Sequence, residues 1–244
     1  MKTKTVDKFI EDVADHYPAF TKVEYDLNDL KKVEFNKNEC LFVWDLRLGE
    51  ILFAKGMDNL LGFADNKVTL KTFTELFHPD DDEFILRIGQ AAIHYSIKYP
   101  ESNKEHCLYV SHRIKNVKGD YIKILAQSTP YSMDEGGLIT SFLVKLNDIS
   151  FVDTSETVQY KFIVAGLDGT AFHDLIFQNS KSIFTPRELD IIKEIQQGYT
   201  NPQIAERLEI SKYTVATHRK KIMKKSGCHS AKELLLFCRK NGVI

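Results

Sequence analysis

The chain has 244 residues, which is long for one small domain and typical of two. Hydrophobic residues make up 43% and charged residues 27% of it, and no apolar run reaches the roughly 18 residues that a membrane-spanning helix needs. Acidic residues such as Asp7, Glu11 and Asp15 interrupt the apolar positions at the start, which argues against a secretory signal peptide. The sequence therefore predicts a cytoplasmic protein that is not inserted in a membrane.

Charge is distributed unequally along the chain. Residues 182–244 contain 12 basic and 6 acidic side chains, a net charge of +6, whereas the rest contains 21 basic and 28 acidic side chains, a net charge of −7. This division predicts a basic module that binds a polyanion, joined to an acidic module with another task. The four cysteines form no Cys-x-x-Cys pair, so neither a disulfide framework nor a zinc site is predicted.

Residues 1–39 are predicted to be an N-terminal helical segment. Its apolar residues recur at helical spacing and Pro18 ends the pattern. The residues of this stripe are Val6, Phe9, Ile10, Val13 and Tyr17.

Residues 40–150 are predicted to form an α+β domain. Two short strands, at about 41–44 and 51–53, come first, and a long helix begins after His78. Three longer strand-like runs follow at 108–115, 121–131 and 138–146, joined by turns rich in Gly, Asn and Asp. Because the strands arrive as hairpins, the pattern indicates an antiparallel sheet rather than a doubly wound parallel one. The apolar stripe of the long helix is Phe84, Ile88, Ala91 and Tyr95.

In this order of elements, residues 40–149 resemble a PAS domain. The resemblance depends on the two-strand start, the three-strand finish and two short motifs. It implies a five-stranded antiparallel sheet with helices across one face, which senses a ligand, signals to an output domain or dimerises. The motifs are Phe77-His78-Pro79-Asp80-Asp81 at the helix entry and Asn147-Asp148-Ile149 at the end.

No cofactor is predicted for this PAS-like domain, and the resemblance is compatible with a small-molecule ligand that the sequence does not identify. The Asn-Cys-Arg-Phe run of flavin-binding PAS domains is absent. We interpret His94 as a surface or packing residue rather than a haem ligand, and His106 and His112 are poorly spaced for a metal. The acidic residues 80–82 are explained by the dipole at a helix start rather than by a metal ion.

Residues 151–181 are predicted to be a hairpin followed by a linker. Two apolar runs, 160–165 and 171–177, flank Asp168-Gly169, and residues 179–182 are polar.

Residues 182–244 are predicted to form an all-α domain of four short helices. A Thr or Ser cap with Glu or Gln three residues later marks the start of three of them, and Gly198 is placed to end the first. The third helix follows Ser211 and extends from Lys212 to about Ser226. The three cap pairs are Thr185 with Glu188, Thr200 with Gln203, and Ser230 with Glu233.

One face of the third helix has the composition of a DNA-contacting surface. At 3.6 residues per turn, Val215, His218 and Ile222 face inward. The outward stripe begins with small side chains, which allow close approach to base edges, and ends with lysines, which suit phosphates. A solvated basic helix is the alternative, but the preceding helix, the short turn and the charge division favour DNA binding. The stripe consists of Tyr213, Ala216, Thr217, Lys220, Lys221 and Lys224.

Residues 184–244 resemble the LuxR-type helix-turn-helix domain of bacterial regulators. The matching segments combine caps, core positions and DNA-facing positions in order. They are Phe184 through Glu188, Gly198-Tyr199-Thr200-Asn201, Ile204-Ala205, Leu208-Glu209-Ile210-Ser211, Thr214-Val215, His218, and Ile222 through Gly227.

The resemblance implies that the third helix is the recognition helix, with Ala216, Thr217 and Lys220 toward bases. The sequence departs from the family at Ala216, often lysine or polar there, and at Arg219, where an apolar residue is common; Arg219 either contacts phosphate or lies along the surface. Amides near Thr200 and Asn201 lie at a helix N-terminus, which attracts phosphate. The predicted phosphate contacts are Thr200, Asn201, Tyr213, Arg219, Lys221 and Lys224.

These patterns predict a transcription regulator, not an enzyme, that binds double-stranded promoter DNA as a homodimer, with RNA polymerase as a further partner. A second hypothesis keeps the DNA binding but makes the N-terminal domain a ligand-free protein-interaction unit. A third is a phosphorelay response regulator, but the alternation of strands and helices that it requires is absent.

Overall fold

The computed structural model describes residues 25–156, 158–164, 172, 175–176, 184–240 and 243–244. The chain divides into two compact units, 1–176 and 177–244. The predicted helix within residues 1–24 and most of the predicted linker lie outside the described residues. In the part of the chain that is described, no helix is long and apolar enough to cross a membrane.

The first unit is built on a six-stranded antiparallel sheet. The spatial order of its strands is β2-β1-β5-β4-β3-β6, and every pair of neighbours is antiparallel. The strands are β1 (Glu39–Asp45), β2 (Glu50–Lys55), β3 (Cys107–Lys115), β4 (Tyr121–Met133), β5 (Ile139–Asp148) and β6 (Gln159–Ile163).

The predicted α+β class and antiparallel sheet are confirmed, and the predicted long helix lies between β2 and β3 in the chain. The predicted number of five strands is wrong by one. Strand β6 adds to the free edge of β3, where Tyr109 lies opposite Lys161. An edge strand leaves backbone donors and acceptors unpaired, and β6 pairs with those of β3.

Helices cover one face of this sheet. On that face lie α2 (Met57–Leu60), α3 (Leu70–Glu75) and α4 (Asp82–Lys98), with short 3-10 helices at Asp65–Lys67 and Pro100–Glu105. The short α1 (Asn28–Lys31) precedes β1 and has no buried residue, and the carbonyl of its Lys31 accepts a hydrogen bond from Nζ of Lys55 in β2 at 2.7 Å. The hydrophobic core lies between α3, α4 and the inward residues of the strands. Representative members are Phe42, Phe73, Leu86, Ile93 and Leu146.

Helix α4 buries two faces. Leu86 and Ile93 join the main core, whereas Tyr95, from the predicted stripe, contacts the rings of Phe162 at 5.1 Å and Phe172 at 6.2 Å between centroids. The predicted stripe of α4 is buried, as expected, and its Phe84 contacts the ring of Tyr160 in β6 with 6.0 Å between centroids.

The predicted hairpin over residues 158–178 is wrong in its second half. Strand β6 forms its first arm, but Phe172, Leu175 and Ile176 are helical. Phe172 and Ile176 are both almost completely buried. Phe172 stacks on Phe162 with 4.2 Å between ring centroids. Burial of this apolar pair favours the helix over a second strand.

Asp81 has a more specific role than the predicted one at a helix start. Its buried carboxylate accepts hydrogen bonds from the backbone N and Nε of Arg113, at 3.0 and 3.1 Å, and forms an ion pair with the same guanidinium. It therefore ties the start of α4 to β3. Within the described ranges, no group of three or more His, Cys, Asp or Glu side chains is arranged to hold a metal ion.

The second unit has the four predicted helices. They are α5 (Pro186–Gln196), α6 (Asn201–Arg207), α7 (Lys212–Ser226) and α8 (Ala231–Lys240). Its buried residues include Ile191, Ile204, Val215, Ile222 and Leu234.

Candidate DNA-binding interface

The start of α5 is held by the predicted cap. The backbone N of Glu188 donates to Oγ1 of Thr185 at 3.3 Å, and the backbone N of Thr185 donates to Oε2 of Glu188 at 2.8 Å. Two helix-terminal amides are thereby satisfied. Gly198, at φ +82°, follows the helix in the left-handed conformation that glycine tolerates best.

The turn between α6 and α7 is held by hydrogen bonds to other parts of the second unit. Glu209 has φ +52°, and among the described residues it is the one non-glycine residue with a positive φ. The backbone N of Ile210 donates to the carbonyl of Ala205 at 3.0 Å, and Nη2 of Arg187 donates to the carbonyl of Leu208 at 2.7 Å. These bonds join the turn to both preceding helices.

Helix α7 begins and packs as predicted. Ser211 caps it by accepting a hydrogen bond from the backbone N of Thr214 at 3.0 Å. Val215 and Ile222 are completely buried, and His218 is half-buried. With these residues facing inward, the opposite face of α7 is exposed.

A buried ion pair joins α7 to α5. Nζ of Lys225 lies 2.7 Å from Oε2 of Glu188, whose side chain is 2% exposed. Burial raises the pKa of the Glu188 carboxyl, but hydrogen bonds from Lys225 and Thr185 lower it more, so this pKa lies below its usual value. The capping carboxylate of α5 therefore also anchors the last turn of α7.

The predicted stripe forms one surface of α7. Its first residue, Tyr213, is 75% exposed, and Lys224, near the other end, is partly exposed. The four residues between them are all exposed: Ala216, Thr217, Lys220 and Lys221. The surface offers small side chains at the start of the helix and cations farther along it.

The hydroxyl of Thr217 has a partner within its own helix. Oγ1 donates to the carbonyl of Tyr213 at 2.9 Å. With its hydrogen used in this bond, the hydroxyl can still accept a hydrogen bond, and the methyl group is available for apolar contact.

Arg219 and Asn201, which were predicted as separate phosphate contacts, lie together. Nη1 of Arg219 donates to Oδ1 of Asn201 at 3.0 Å, so the guanidinium joins α7 to the first residue of α6. The sequence did not predict this bond, although the departure from an apolar residue at this position marked Arg219 as unusual.

The start of α6 is capped differently from the start of α5. Both the backbone N and the hydroxyl of Thr200 donate to Oε1 of Gln203, at 2.9 and 2.8 Å. The predicted pairing of Thr200 with Gln203 is present, with the glutamine oxygen as the acceptor of both bonds.

Lys212 belongs to the same surface and was not among the predicted contacts. It is exposed at the first position of α7, and its Nζ lies 5.4 Å from the ring centroid of Tyr213. Its place one residue before the stripe was the signal that could have identified it.

Comparison with known families identifies the second unit. Residues 182–238 match the model of the family described as bacterial regulatory proteins, luxR family. Among curated proteins, the chain is 35% identical over 101 residues to the transcriptional regulatory protein MctR of Rhizobium johnstonii, an alignment that covers 38% of this chain and 47% of MctR. It is 43% identical over 65 residues to the uncharacterized response regulatory protein YgeK of Escherichia coli, covering 27% of this chain and 44% of YgeK.

The chain thus spans less than half the length of these two relatives. Among solved structures, VqmA of Vibrio cholerae in a complex with ligand and DNA has 16% identity and a TM-score of 0.33, covering 91% of this chain and 90% of VqmA. The family match extends from the residues before α5 well into α8 and includes the whole of α7. The second unit of this chain is therefore a helix-turn-helix domain of the luxR family of bacterial regulatory proteins.

Proposed function

We propose that the chain is a sequence-specific DNA-binding transcription regulator that inserts α7 into the major groove of promoter DNA. The observation that carries this proposal is the exposed stripe of α7 on a luxR-family domain. A recognition helix needs small side chains near base edges and cations near phosphates, and this stripe supplies both.

The base contacts in this proposal come from Ala216, Thr217 and Lys220. Thr217 offers its methyl group to thymine and its oxygen as an acceptor, and Lys220 pairs with the acceptors of guanine. Ala216 adds only its methyl group, so Thr217 and Lys220 supply most of the discrimination. The phosphate contacts come from Lys221, Lys224 and Tyr213 on the stripe, and from Arg219, Thr200 and Asn201 beside it.

We further propose that the protein binds DNA as a homodimer. A single small module buries only roughly 600–1,000 Å² on DNA, and two copies on two half-sites increase both affinity and specificity. In this proposal it is a cytoplasmic binding protein rather than an enzyme, and RNA polymerase is a further partner at the promoter.

The N-terminal PAS-like domain is assigned signal sensing or dimerisation. A ligand-free protein-interaction role is the alternative. The phosphorelay hypothesis is disfavoured because the sheet of the first unit is antiparallel, whereas a receiver needs parallel strands alternating with helices.

Random-pool DNA selection with the full-length protein tests the proposal directly. We expect one recurring motif, repeated as half-sites whose centres are about 10 base pairs or a multiple apart. The Lys220→Glu variant should lose the enrichment, whereas Lys232→Glu, a matched charge reversal at an exposed position of α8, should keep the same motif.

Two results would contradict the proposal. Failure of the wild-type protein to enrich any motif at low salt would remove sequence-specific binding. A strict monomer in analytical ultracentrifugation, both with and without the selected DNA, would remove the homodimer.

A further inference from the structure

An apolar cavity of about 120 Å³ lies inside the N-terminal unit, between the inner face of the sheet and helices α3 and α4. Its wall is mostly apolar and includes the rings of Phe42, Phe73 and Phe77. The buried imidazole of His112 also lines it and packs edge-on against Phe77, with 5.1 Å between ring centroids. A dry cavity of about 150 Å³ can hold a benzene molecule, so this chamber is of the size of a single ring.

A second, smaller cavity of about 60 Å³ adjoins the first. The two share Trp44, Gly89, Leu108 and Ser128 in their walls. Gly89 has no side chain to project between them. Among the described residues that line either chamber there is no Asp, Glu, Lys or Arg.

His106 lines the smaller chamber, together with Ser128. The histidine is 3% exposed, and neither ring nitrogen has a hydrogen-bond partner in the described part of the chain. Phe162 packs edge-on against the imidazole, with 4.6 Å between ring centroids. Burial lowers the pKa of His106 to about 4, so the ring is neutral and presents one donor and one acceptor.

An imidazole buried without a partner is costly, because both of its nitrogens have lost their hydrogen bonds to water. A bound molecule that offers a hydrogen bond in the smaller chamber removes this cost.

We propose that the two chambers together bind one small, uncharged, single-ring molecule, with the ring in the larger chamber and its one hydrogen-bonding group on His106. This inference rests on the proposed sensory role of the N-terminal domain. The apolar walls select against a charged ligand, since a charge buried without a counter-charge is strongly disfavoured. The small volume selects against larger ligands, which occupy pockets of about 300–1,000 Å³.

Fluorine NMR of the full-length protein with three matched probes tests the inference. The probes are 4-fluorophenol, fluorobenzene and 4-fluorobenzoate, which share one ring and differ in the polar group. We expect 4-fluorophenol to bind about tenfold more tightly than fluorobenzene because of one hydrogen bond to His106, and 4-fluorobenzoate not to bind. His106→Phe should abolish the preference for the phenol, whereas His94→Gln, at an exposed histidine of α4, should leave it unchanged.

Gly89 provides a second test that does not depend on the histidine. Gly89→Leu should fill the shared wall and abolish binding of both neutral probes. Gly89→Ala should weaken binding severalfold while leaving the melting temperature equal or higher, because alanine favours the helix more than glycine does.

Three results would overturn the inference: equal affinity of the wild type for the phenol and fluorobenzene, an unchanged preference in His106→Phe, or no binding of any probe to a protein that still selects its DNA motif. The last result would leave the chambers as packing voids or water sites. DNA selection tests the second unit. A failure to select a DNA motif can therefore be distinguished from a failure of the N-terminal unit to bind the probes.

Discussion

Lys225 donates a hydrogen bond from Nζ to Oε2 of Glu188 across 2.7 Å, and so joins the last turn of α7 to the first turn of α5. The same carboxylate oxygen accepts the backbone amide of Thr185. One buried carboxylate therefore caps one helix and fixes another. The exposed stripe of α7 depends on this anchor for its position.

Removing the cation from this pair should destabilise the second unit. Lys225→Met leaves a buried carboxylate with fewer partners, and we expect a loss of about 2 kcal/mol in the free energy of unfolding. Hydrogen exchange of the α5 and α7 amides in the full-length protein measures the change. Lys221→Met is the control, since its exposed side chain predicts a change within about 0.5 kcal/mol. Equal effects of the two substitutions would contradict the role of the pair.

The same carboxylate should make the second unit sensitive to acid. The pKa of Glu188 in the folded protein is lowered from about 4.5, so its stabilisation is fully present above that value and is lost as the pH falls through the folded pKa. We expect amide protection in α5 and α7 to decrease below about pH 4.5. Glu188→Gln should be less stable at pH 7 and should show a smaller further loss between pH 5 and pH 3. An unchanged pH dependence in this variant would assign the acid sensitivity to other groups.

Lys220→Ala should relax the preference at one base pair. A lysine that pairs with guanine acceptors contributes about 1–3 kcal/mol of discrimination, and alanine cannot replace it. Binding measurements on the selected motif and its single-base variants would detect the change at one position. Equal weakening on every sequence would show that Lys220 contacts phosphate instead.

Lys224→Ala should weaken binding to all sequences alike. A phosphate contact releases about one counterion, so the slope of log K against log salt should decrease by about one. Titrations on the selected motif and on unrelated DNA, at several salt concentrations, provide both readings. A change in base preference without a change in the salt slope would contradict the phosphate role.

The bond between Arg219 and Asn201 should appear as an energetic coupling. The two side chains lie on different helices, so we expect a double-mutant cycle of Arg219→Ala and Asn201→Ala to give about 1 kcal/mol of interaction in stability. Chemical denaturation of the four proteins measures it. Strictly additive effects would leave Arg219 as a surface side chain that acts only when DNA is present.

Several features of the molecule followed from the sequence because their causes are local. The cap of α5 joins Thr185 and Glu188, only three residues apart, and the inward and outward faces of α7 follow from its 3.6-residue period. The strand runs of the sheet were likewise visible in hairpin order. The six residues of the α7 stripe were therefore predictable before their exposure was known, whereas Lys212 beside them was missed.

The remaining features depend on which distant residues meet. Strand β6 pairs with β3, and Phe172 packs in a helix against Tyr95, because the uncovered second face of α4 and the free edge of β3 require partners that local patterns do not specify. Glu188 meets Lys225 across 37 residues of chain, and His106 becomes a buried polar group only when the sheet closes around it. The sequence by itself determined the four helices of the second unit and the chemistry of the stripe, because caps and helical periodicity are local. The tertiary structure decided how that stripe is anchored and which side chains line the interior of the N-terminal unit, because those contacts join residues far apart in the chain.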